Sequence, residues 1–212
     1  MNNELIGATE VQPRSTIRPL MIVVSAPSGA GKSTLCDRLV AEFPNIVYSI
    51  SCTTRAPRGE EKDGEHYYFL SKKEFKERIK NNEFLEYAKV HGNFYGTLED
   101  TVLYAMEGGK HVLLDIDVQG AEQIRESLVR LDPHHPIRRG FIDIFISPPS
   151  MEELEKRLRG RETDSDEAIT KRLKNAEKEM EHAVHYAYQI VNDNLDTAYE
   201  ELKRAICTSL QA

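Results

Sequence analysis

Residues 26–33 contain two glycines, a lysine and a serine at the spacing of a phosphate-binding loop. The segment APSGAGKS matches the pattern GxxxxGK[ST], except that Ala26 occupies the place of the first glycine. The other glycines allow backbone N–H groups to curl around a phosphate, and the following helix directs the positive end of its dipole to the same point. In this pattern Lys32 contacts the β- and γ-phosphates, and Ser33 offers its hydroxyl to Mg²⁺.

The loop lies between a predicted buried strand and a predicted helix, which is the context that the motif requires. Residues 20–26 are apolar and rich in β-branched side chains, as in a parallel strand that is buried on both faces. Leu35, Leu39 and Phe43 then recur at helical spacing until Pro44. The alternative is a glycine-rich turn with an incidental lysine, and this context disfavours it. The motif predicts triphosphate binding and leaves the reaction open.

A second group of residues has the composition of a nucleotide site. Arg55 and Arg58 are three residues apart and can fork onto one phosphate group, and Tyr67 and Tyr95 add phenolic donors. Two acids, Glu86 and Asp117, stand in apolar or aromatic surroundings. A carboxylate suits guanine, because the Watson–Crick edge of guanine presents adjacent N–H donors and N1 of adenine presents none.

Two acids also close an apolar strand predicted at residues 111–117. Asp115 and Asp117 would share one face of that strand, at the end where parallel sheets carry their sites. They are either strand-end caps or a metal-associated acid pair, and a phosphate loop in the same chain favours the second interpretation.

Strands that alternate with helices indicate an α/β protein with a parallel sheet. The region from residue 55 to residue 91 is polar, turn-rich and mixed with aromatic residues, so it breaks this alternation and is predicted to form an inserted subdomain. Two helix starts carry the pattern of a capping box, Ser71 with Glu74 and Ser150 with Glu153. HxxH spacing at His182 makes a metal site conceivable, but without a third ligand nearby in sequence we assign this histidine to the surface or to packing.

The composition favours one compact unit. The chain has 212 residues and a net charge of −7, so it has no overall basic field for nucleic acid. Its apolar runs are too short to cross a membrane, and its three scattered cysteines suit reduced thiols in the cytoplasm. Residues 1–19 carry no secretory signal and are predicted to be a flexible extension. A polyanionic ligand would need the local basic clusters at 55–58 and 156–161.

Several ordered segments carry a family resemblance over residues 20–207: SAPSGAGKST, SCTTRAPRGEEKDGEHYYF, EFLEYAKVHGNFYGT, LLDIDVQGA, SPPS with RLRGR, and IVND. In these segments the chain closely resembles the guanylate kinases. The resemblance implies these GMP-binding positions: Ser51, Arg55, Arg58, Tyr67, Glu86, Tyr95, Thr97 and Asp117. Among these, Arg55, Arg58, Tyr67 and Tyr95 would hold the phosphate. The guanine would be bound by Ser51, Glu86, Thr97 and Asp117.

The same resemblance implies the ATP side of the site. Its positions are Ala26, Pro27, Ser28, Gly29, Ala30, Gly31, Lys32, Ser33 and Thr34 in the loop, with Asn192 and Asp193 near the adenine. Arg157, Arg161 and Arg172 would belong to a lid over the ATP phosphates and act in catalysis together with Lys32 and Arg55. Mg²⁺ would be held by Ser33 and, through water, by Asp115.

The fold implied by the resemblance is a three-layer P-loop fold with a parallel five-stranded sheet. Residues 20–212 would form a guanylate kinase-like domain with its core at 20–50, 98–149 and 181–212. The GMP-binding region would be 51–97 and the helical lid 150–180. The loop at 132–140 is longer than is usual in the family, so its role is open.

The activity implied by the resemblance is transfer of the γ-phosphoryl group of ATP to GMP, and to dGMP, in purine nucleotide metabolism. The expected partners are ATP and GMP, with no nucleic acid, membrane or obligatory protein partner; a homo-oligomer stays open. Two alternatives remain. A non-catalytic interaction module is disfavoured by the intact Lys32 and Ser33, and a kinase for AMP or UMP is disfavoured by Glu86 and Asp117.

Overall fold

The computed structural model describes residues 18–160 and 164–211, so most of the extension predicted at residues 1–19 lies outside the described residues. The strands are β1 Met21–Ser25, β2 Ile46–Tyr48, β3 Cys52–Thr53, β4 Tyr68–Phe69, β5 Phe84–Val90, β6 Asn93–Leu98, β7 His111–Asp115, β8 Phe141–Ser147 and β9 Tyr188–Val191. The helices are α1 Lys32–Glu42, α2 Lys72–Lys80, α3 Glu99–Glu107, α4 Val118–Arg130, α5 Pro136–Gly140, α6 Met151–Arg159, α7 Asp166–Glu181 and α8 Leu195–Gln211. Within these ranges no helix is long and apolar enough to span a membrane.

Five strands form a parallel sheet in the order β2-β7-β1-β8-β9. Strand β1 is central and buried at every position, because its residues are apolar on both faces. Alternate side chains of β1 enter two different cores: Ile22 and Val24 pack with α1 and α8, whereas Met21 and Val23 pack with α3 and α4. The predicted α/β fold with a parallel five-stranded sheet between helical layers is therefore confirmed.

A second, mixed sheet is inserted between β2 and α3, with the strand order β4-β3-β6-β5. Its small core stacks the ring of Phe75 on Phe84 at 4.3 Å and on Phe94 at 5.3 Å between ring centroids. The capping box predicted for α2 is present: the Ser71 hydroxyl accepts from Glu74 N at 3.1 Å, and the Glu74 carboxylate accepts from Ser71 N at 2.8 Å. Strand β5 packs against α4, which joins this sheet to the core.

Two local predictions were wrong in detail. The strand predicted at 111–117 ends at Asp115, and Asp117 is the N-cap of α4. The Asp117 carboxylate accepts from Gly120 N at 2.9 Å, because the first turn of a helix has N–H groups without helical partners. The two acids therefore do not share a strand face. Ser150 caps α6, but the Glu153 carboxylate pairs with Arg157 at 3.1 Å and does not complete a capping box.

The segment 132–140, predicted as a loop, contains the short helix α5. Pro136 begins this helix, where its fixed φ and its missing N–H carry no cost.

A buried ion pair ties α4 to the sheet. Arg125 Nε donates to Asp143 Oδ2 at 2.7 Å, and Ala187 N donates to Asp143 Oδ1 at 2.8 Å. Asp143 is only 3% exposed, and the Arg125 guanidinium covers the ring of Tyr186 at 4.3 Å. The carboxylate thus depends on Arg125 for its charge compensation.

We expect Arg125→Met to lower the free energy of unfolding by about 3 kcal/mol, because it leaves a charge buried without its partner. Urea unfolding at pH 7 measures this loss. Arg159→Met is the matched control: Arg159 pairs with Glu155 at 2.8 Å on the exposed surface, so its removal should cost less than about 1 kcal/mol. Equal losses for the two variants would contradict the assignment of the Arg125 pair as a stabilising contact.

Candidate active site

The phosphate loop follows the carboxyl end of the central strand β1. Gly29 and Gly31 have φ values of 98° and 94°, a left-handed conformation that glycine adopts without strain. Gly31 is the N-cap of α1, so this helix directs its N-terminus into the loop. A Cβ atom on Gly31 would collide with the side-chain nitrogen of Asn192. Both glycines of the motif are therefore required by the backbone of this loop.

Asn192 lies behind the loop with its side chain turned toward it. Its Nδ2 donates to Ala30 O at 2.8 Å in a buried contact, and its own carbonyl oxygen accepts from Arg157 Nη1 at 2.9 Å. The next residue, Asp193, is exposed. In this structure the Asn192 amide thus fixes the shape of the loop, and the predicted role of both residues near an adenine stays a prediction.

Lys32 bridges the loop and the end of β7. Its ammonium group pairs with the Asp115 carboxylate and donates to Ile116 O at 3.1 Å. In front of it lies a cavity of about 410 Å³, which is large enough for the phosphate groups of a nucleotide. Its lining consists of Ala26, Pro27, Ser28, Gly29, Gly31, Lys32, Ser33, Thr34, Asp115, Asp117 and Glu179.

One predicted lid arginine, Arg172 on α7, contacts the loop directly, and a second, Arg157 on α6, contacts Asn192 behind the loop. Arg172 Nη1 donates to the Ser28 hydroxyl at 3.0 Å, and its Nη2 donates to Asp164 Oδ1 at 3.2 Å. Arg157 reaches the carbonyl oxygen of Asn192. Both positive charges thus lie beside the phosphate loop. The third predicted lid arginine, Arg161, lies outside the described residues.

The predicted acceptor-phosphate residues cluster on the second sheet. The Arg55 guanidinium lies 5.3 Å from the ring centroid of Tyr67, and the rings of Tyr67 and Tyr95 are 6.1 Å apart. Arg58 is exposed on the same loop. Arg55 also forms a two-pronged ion pair with Glu61, at 2.8 Å and 2.9 Å. Hydrogen bonds from Arg55, and then from the backbone of Arg58, lower the pKa of Glu61 to about 2.

The predicted guanine acids lie where β5 meets α4. Glu86 is opposite Thr97 in the β5–β6 register, and the Thr97 hydroxyl donates to Glu86 Oε1 at 2.7 Å. Burial, together with the nearby charge of Asp117, raises the pKa of Glu86 to about 7. Ser51 is half-buried directly before β3. The site therefore contains a buried carboxyl group that is poised to gain or lose a proton near neutral pH.

One short turn connects the two halves of the site. Residues 115–120 begin with Asp115, which pairs with Lys32. Two residues later comes Asp117, whose charge helps to raise the pKa of Glu86. Gly120 is packed so closely on Glu86 that a Cβ atom there would lie 3.4 Å from Glu86 Oε2. The partner of Lys32 and the neighbours of the buried acid thus belong to one short segment of the chain.

Sequence reasoning missed two acids at this site, Glu61 and Glu179. Glu179 lines the phosphate cavity from α7, and burial followed by the charge of Asp117 raises its pKa. It lies seven residues after Arg172, which is two helical turns, so the helix period was a signal for it. Glu61 carried no signal beyond its place in the segment TRAPRGEE, because its contact with Arg55 depends on how that loop folds.

The comparison with known protein families identifies the chain. The guanylate kinase family model matches residues 18–209. The chain belongs to the guanylate kinase family. It is 48% identical over 188 residues to a guanylate kinase of Escherichia coli O157:H7, an alignment that covers 88% of this chain and 86% of the relative. It is 44% identical over 184 residues to a guanylate kinase of Desulfitobacterium hafniense (strain Y51), with 87% of each chain covered.

A solved structure supports the same family. The crystal structure of guanylate kinase from Anaplasma phagocytophilum matches with a TM-score of 0.64 and 33% sequence identity, and the match covers 92% of this chain and 88% of that one. This guanylate kinase fold contains both the parallel sheet that carries the phosphate loop and the inserted sheet that carries Arg55. Among the described residues, those that line the phosphate cavity do not include Asp193.

Proposed function

We propose that this chain transfers the γ-phosphoryl group of ATP to GMP, giving ADP and GDP. Its membership of the guanylate kinase family supports this reaction. The observation that carries the proposal is the turn at 115–120, which couples Lys32 in the phosphate loop to the buried Glu86. A triphosphate site and a buried acid that suits guanine, joined by one short segment of the chain, are what a transfer between two nucleotides requires.

The proposed chemistry depends on position and charge. The acceptor is a phosphate oxygen of GMP that is already ionised near neutral pH, so no strong general base is needed. Arg55 and Arg58 would neutralise the acceptor phosphate, while Lys32 and the lid residues Arg157 and Arg172 would neutralise the phosphates of ATP. Because both substrates are anionic, this neutralisation removes the repulsion that would otherwise keep them apart.

The residues at the phosphate cavity fit a bound Mg²⁺. Ser33 and Asp115 line the same cavity, and Mg²⁺ in phosphoryl-transfer sites uses one or two carboxylates together with substrate phosphates. Among the described residues, no group of three or more histidine, cysteine or acidic side chains forms a cage for a metal, so this smaller donor set is the one to consider. We propose that Ser33 holds the ion directly and Asp115 through water. When bound, Mg²⁺ supplies positive charge to the phosphate oxygens.

Guanine selection would come from the Glu86 end of the site. Ionised Glu86, oriented by Thr97, would accept hydrogen bonds from the Watson–Crick edge of guanine, with Ser51 and Asp117 completing the contacts. AMP would leave this buried acid unpaired, which is costly. The Arg55 cluster with Tyr67 and Tyr95 would hold the phosphate at the other end.

The division of the chain follows the same logic. We propose a core at 20–50, 98–149 and 181–212, a GMP-binding region at 51–97 and a lid at 150–180. The second sheet supports the middle assignment, and the contacts of Arg172 with Ser28 and of Arg157 with Asn192 support the lid. A mobile lid is expected because water is a competing acceptor in an open site. We also propose a cytoplasmic location, which agrees with three free cysteines.

The experiment that tests this function is a product analysis. The chain is incubated with ATP, Mg²⁺ and GMP, and the nucleotides are separated by ion-exchange chromatography. We expect ADP and GDP in equal amounts. ADP with free phosphate and no GDP would mean an ATPase, and no product at all would favour a non-catalytic interaction module.

A further inference from the structure

The Glu61 carboxylate is the most heavily hydrogen-bonded group in the proposed acceptor-phosphate site. It accepts from Arg55 Nη1 at 2.8 Å, from Arg55 Nη2 at 2.9 Å and from Arg58 N at 2.8 Å. The two side chains are shielded, with 9% of Arg55 and 23% of Glu61 exposed. A shielded two-pronged pair holds an arginine in one orientation, which a single contact does not.

The donors of Arg55 show which orientation is held. Nη1 gives its two N–H groups to Glu61 and to Ala56 O at 2.8 Å, and Nη2 gives one to Glu61. These three hydrogen bonds do not use Nε–H and the second Nη2–H, which lie on one edge of the planar guanidinium. Those two groups form the fork that binds two oxygens of a phosphate. Tyr67 flanks the guanidinium, and hydrogen bonding to Glu61, together with an interaction with the Tyr95 side chain, raises the Arg55 pKa.

We propose that Glu61 is a positioning residue for the acceptor phosphate: it fixes the end of the Arg55 guanidinium so that the side edge faces the phosphate of GMP. This inference rests on the proposed function and names a residue that sequence reasoning did not find. Glu61 touches no substrate in this role. It removes the rotational freedom of Arg55 before GMP arrives, so less entropy is lost on binding.

In the opposite role, Glu61 would compete with the GMP phosphate for Arg55. It would occupy the phosphate position and would have to leave when GMP binds. The geometry argues against competition, because Glu61 binds Nη1 and Nη2 at the end of the guanidinium and leaves the side edge for the phosphate. Glu61 is also held in place by the backbone N–H of Arg58. The two roles predict opposite effects. Loss of a positioning carboxylate weakens GMP binding, whereas loss of a competitor strengthens it.

The test is Glu61→Gln, compared with Glu60→Gln, an exposed neighbour with the same loss of charge. We expect Glu61→Gln to raise KM for GMP about tenfold and to leave KM for ATP within about twofold. Calorimetric titration with GMP alone should show the same tenfold rise in Kd. In an Arg55→Lys background, which has no fork to orient, the same substitution should change KM for GMP less than twofold.

Several results would overturn the inference while wild type still makes GDP. The first is a KM for GMP in Glu61→Gln that is unchanged or lower than in wild type. The second is an equal rise in KM for GMP and for ATP together with a lowered Tm. The third is a rise of about tenfold in KM for GMP when Glu61→Gln is made in the Arg55→Lys background. If the glutamine variant folds poorly, Glu61→Asp replaces it in the test. This variant keeps the charge but shortens the side chain, so its KM for GMP should lie between the wild-type value and an increase of about tenfold. If wild type makes no GDP, the proposed function itself fails, and that outcome is separate from these.

Discussion

Replacing Lys32 with methionine is expected to lower kcat about 10³-fold with GMP and with every other acceptor. Lys32 extends from the phosphate loop to the Asp115 carboxylate and Ile116 O, so its charge lies in the cavity where we propose that the ATP phosphates bind. Methionine has a similar length and no charge, so the substitution removes the neutralisation of the transferred group. Initial rates at saturating ATP measure the loss.

The control for this substitution is Lys76→Met, which removes an exposed lysine from α2 of the inserted region. Its kcat should stay within about twofold of wild type. Thermal unfolding should show both variants folded, since Lys32 is not part of an apolar core. Full turnover in Lys32→Met would show that the phosphate-loop role assigned to this residue is wrong.

Replacing Glu86 with glutamine is expected to raise KM for GMP about 10²-fold and to reduce the preference for GMP over AMP. A carboxylate accepts both N–H groups of the guanine edge, whereas an amide presents one oxygen and a repelling NH₂ group. KM for ATP should change little, because Glu86 does not line the cavity at the phosphate loop. Steady-state kinetics with both acceptors measure the change.

The same substitution should stabilise the ligand-free protein in a pH-dependent way. The pKa of Glu86 is raised from 4.5 to about 7 because the group is buried. Between these values the native state binds more protons than the unfolded state, so the free energy of unfolding falls as the pH rises. The destabilisation caused by ionising buried Glu86 is absent below about pH 4 and complete above about pH 7. It lowers the free energy of unfolding by at most about 3 kcal/mol. Glu86→Gln removes it.

Urea unfolding at pH 5 and at pH 8 measures this effect. The stabilisation by Glu86→Gln should be larger at pH 8, whereas Glu122→Gln, at an exposed position of α4, should give the same small change at both. In wild type, KM for GMP should fall as the pH rises from 6 to 8, because guanine binds the ionised form. A pH-independent difference between wild type and Glu86→Gln would mean that this carboxyl group is ionised throughout.

Features that depend on short stretches of sequence were predictable. The position of the phosphate loop and its left-handed turns are encoded by Gly29, Gly31 and the flanking strand and helix. The strand β1, Met21–Ser25, lies within the strand predicted at residues 20–26, because that apolar run ends at the phosphate loop. The start of α2 was fixed by the reciprocal contacts of Ser71 and Glu74. In each case the residues that determine the structure are neighbours in the chain.

Features that depend on distant contacts were not predictable. Asp117 looked like the end of a strand, because sequence pattern does not show where the chain turns to begin α4. The pairing of Glu61 with Arg55 depends on the path of an irregular loop, and the Asn192 contact with Ala30 joins residues 162 positions apart. The roles of the individual site residues accordingly stay predictions that the substitutions above test.

The central claim is that a phosphate-loop site and a guanine-selecting site act together in one transfer. The ratio of kcat/KM for GMP to kcat/KM for AMP, measured with wild type at saturating ATP and Mg²⁺, tests it most directly. A buried acid that pairs with guanine and is left unpaired by adenine predicts a ratio of about 10⁴ in favour of GMP. Equal values for the two acceptors would contradict the claim.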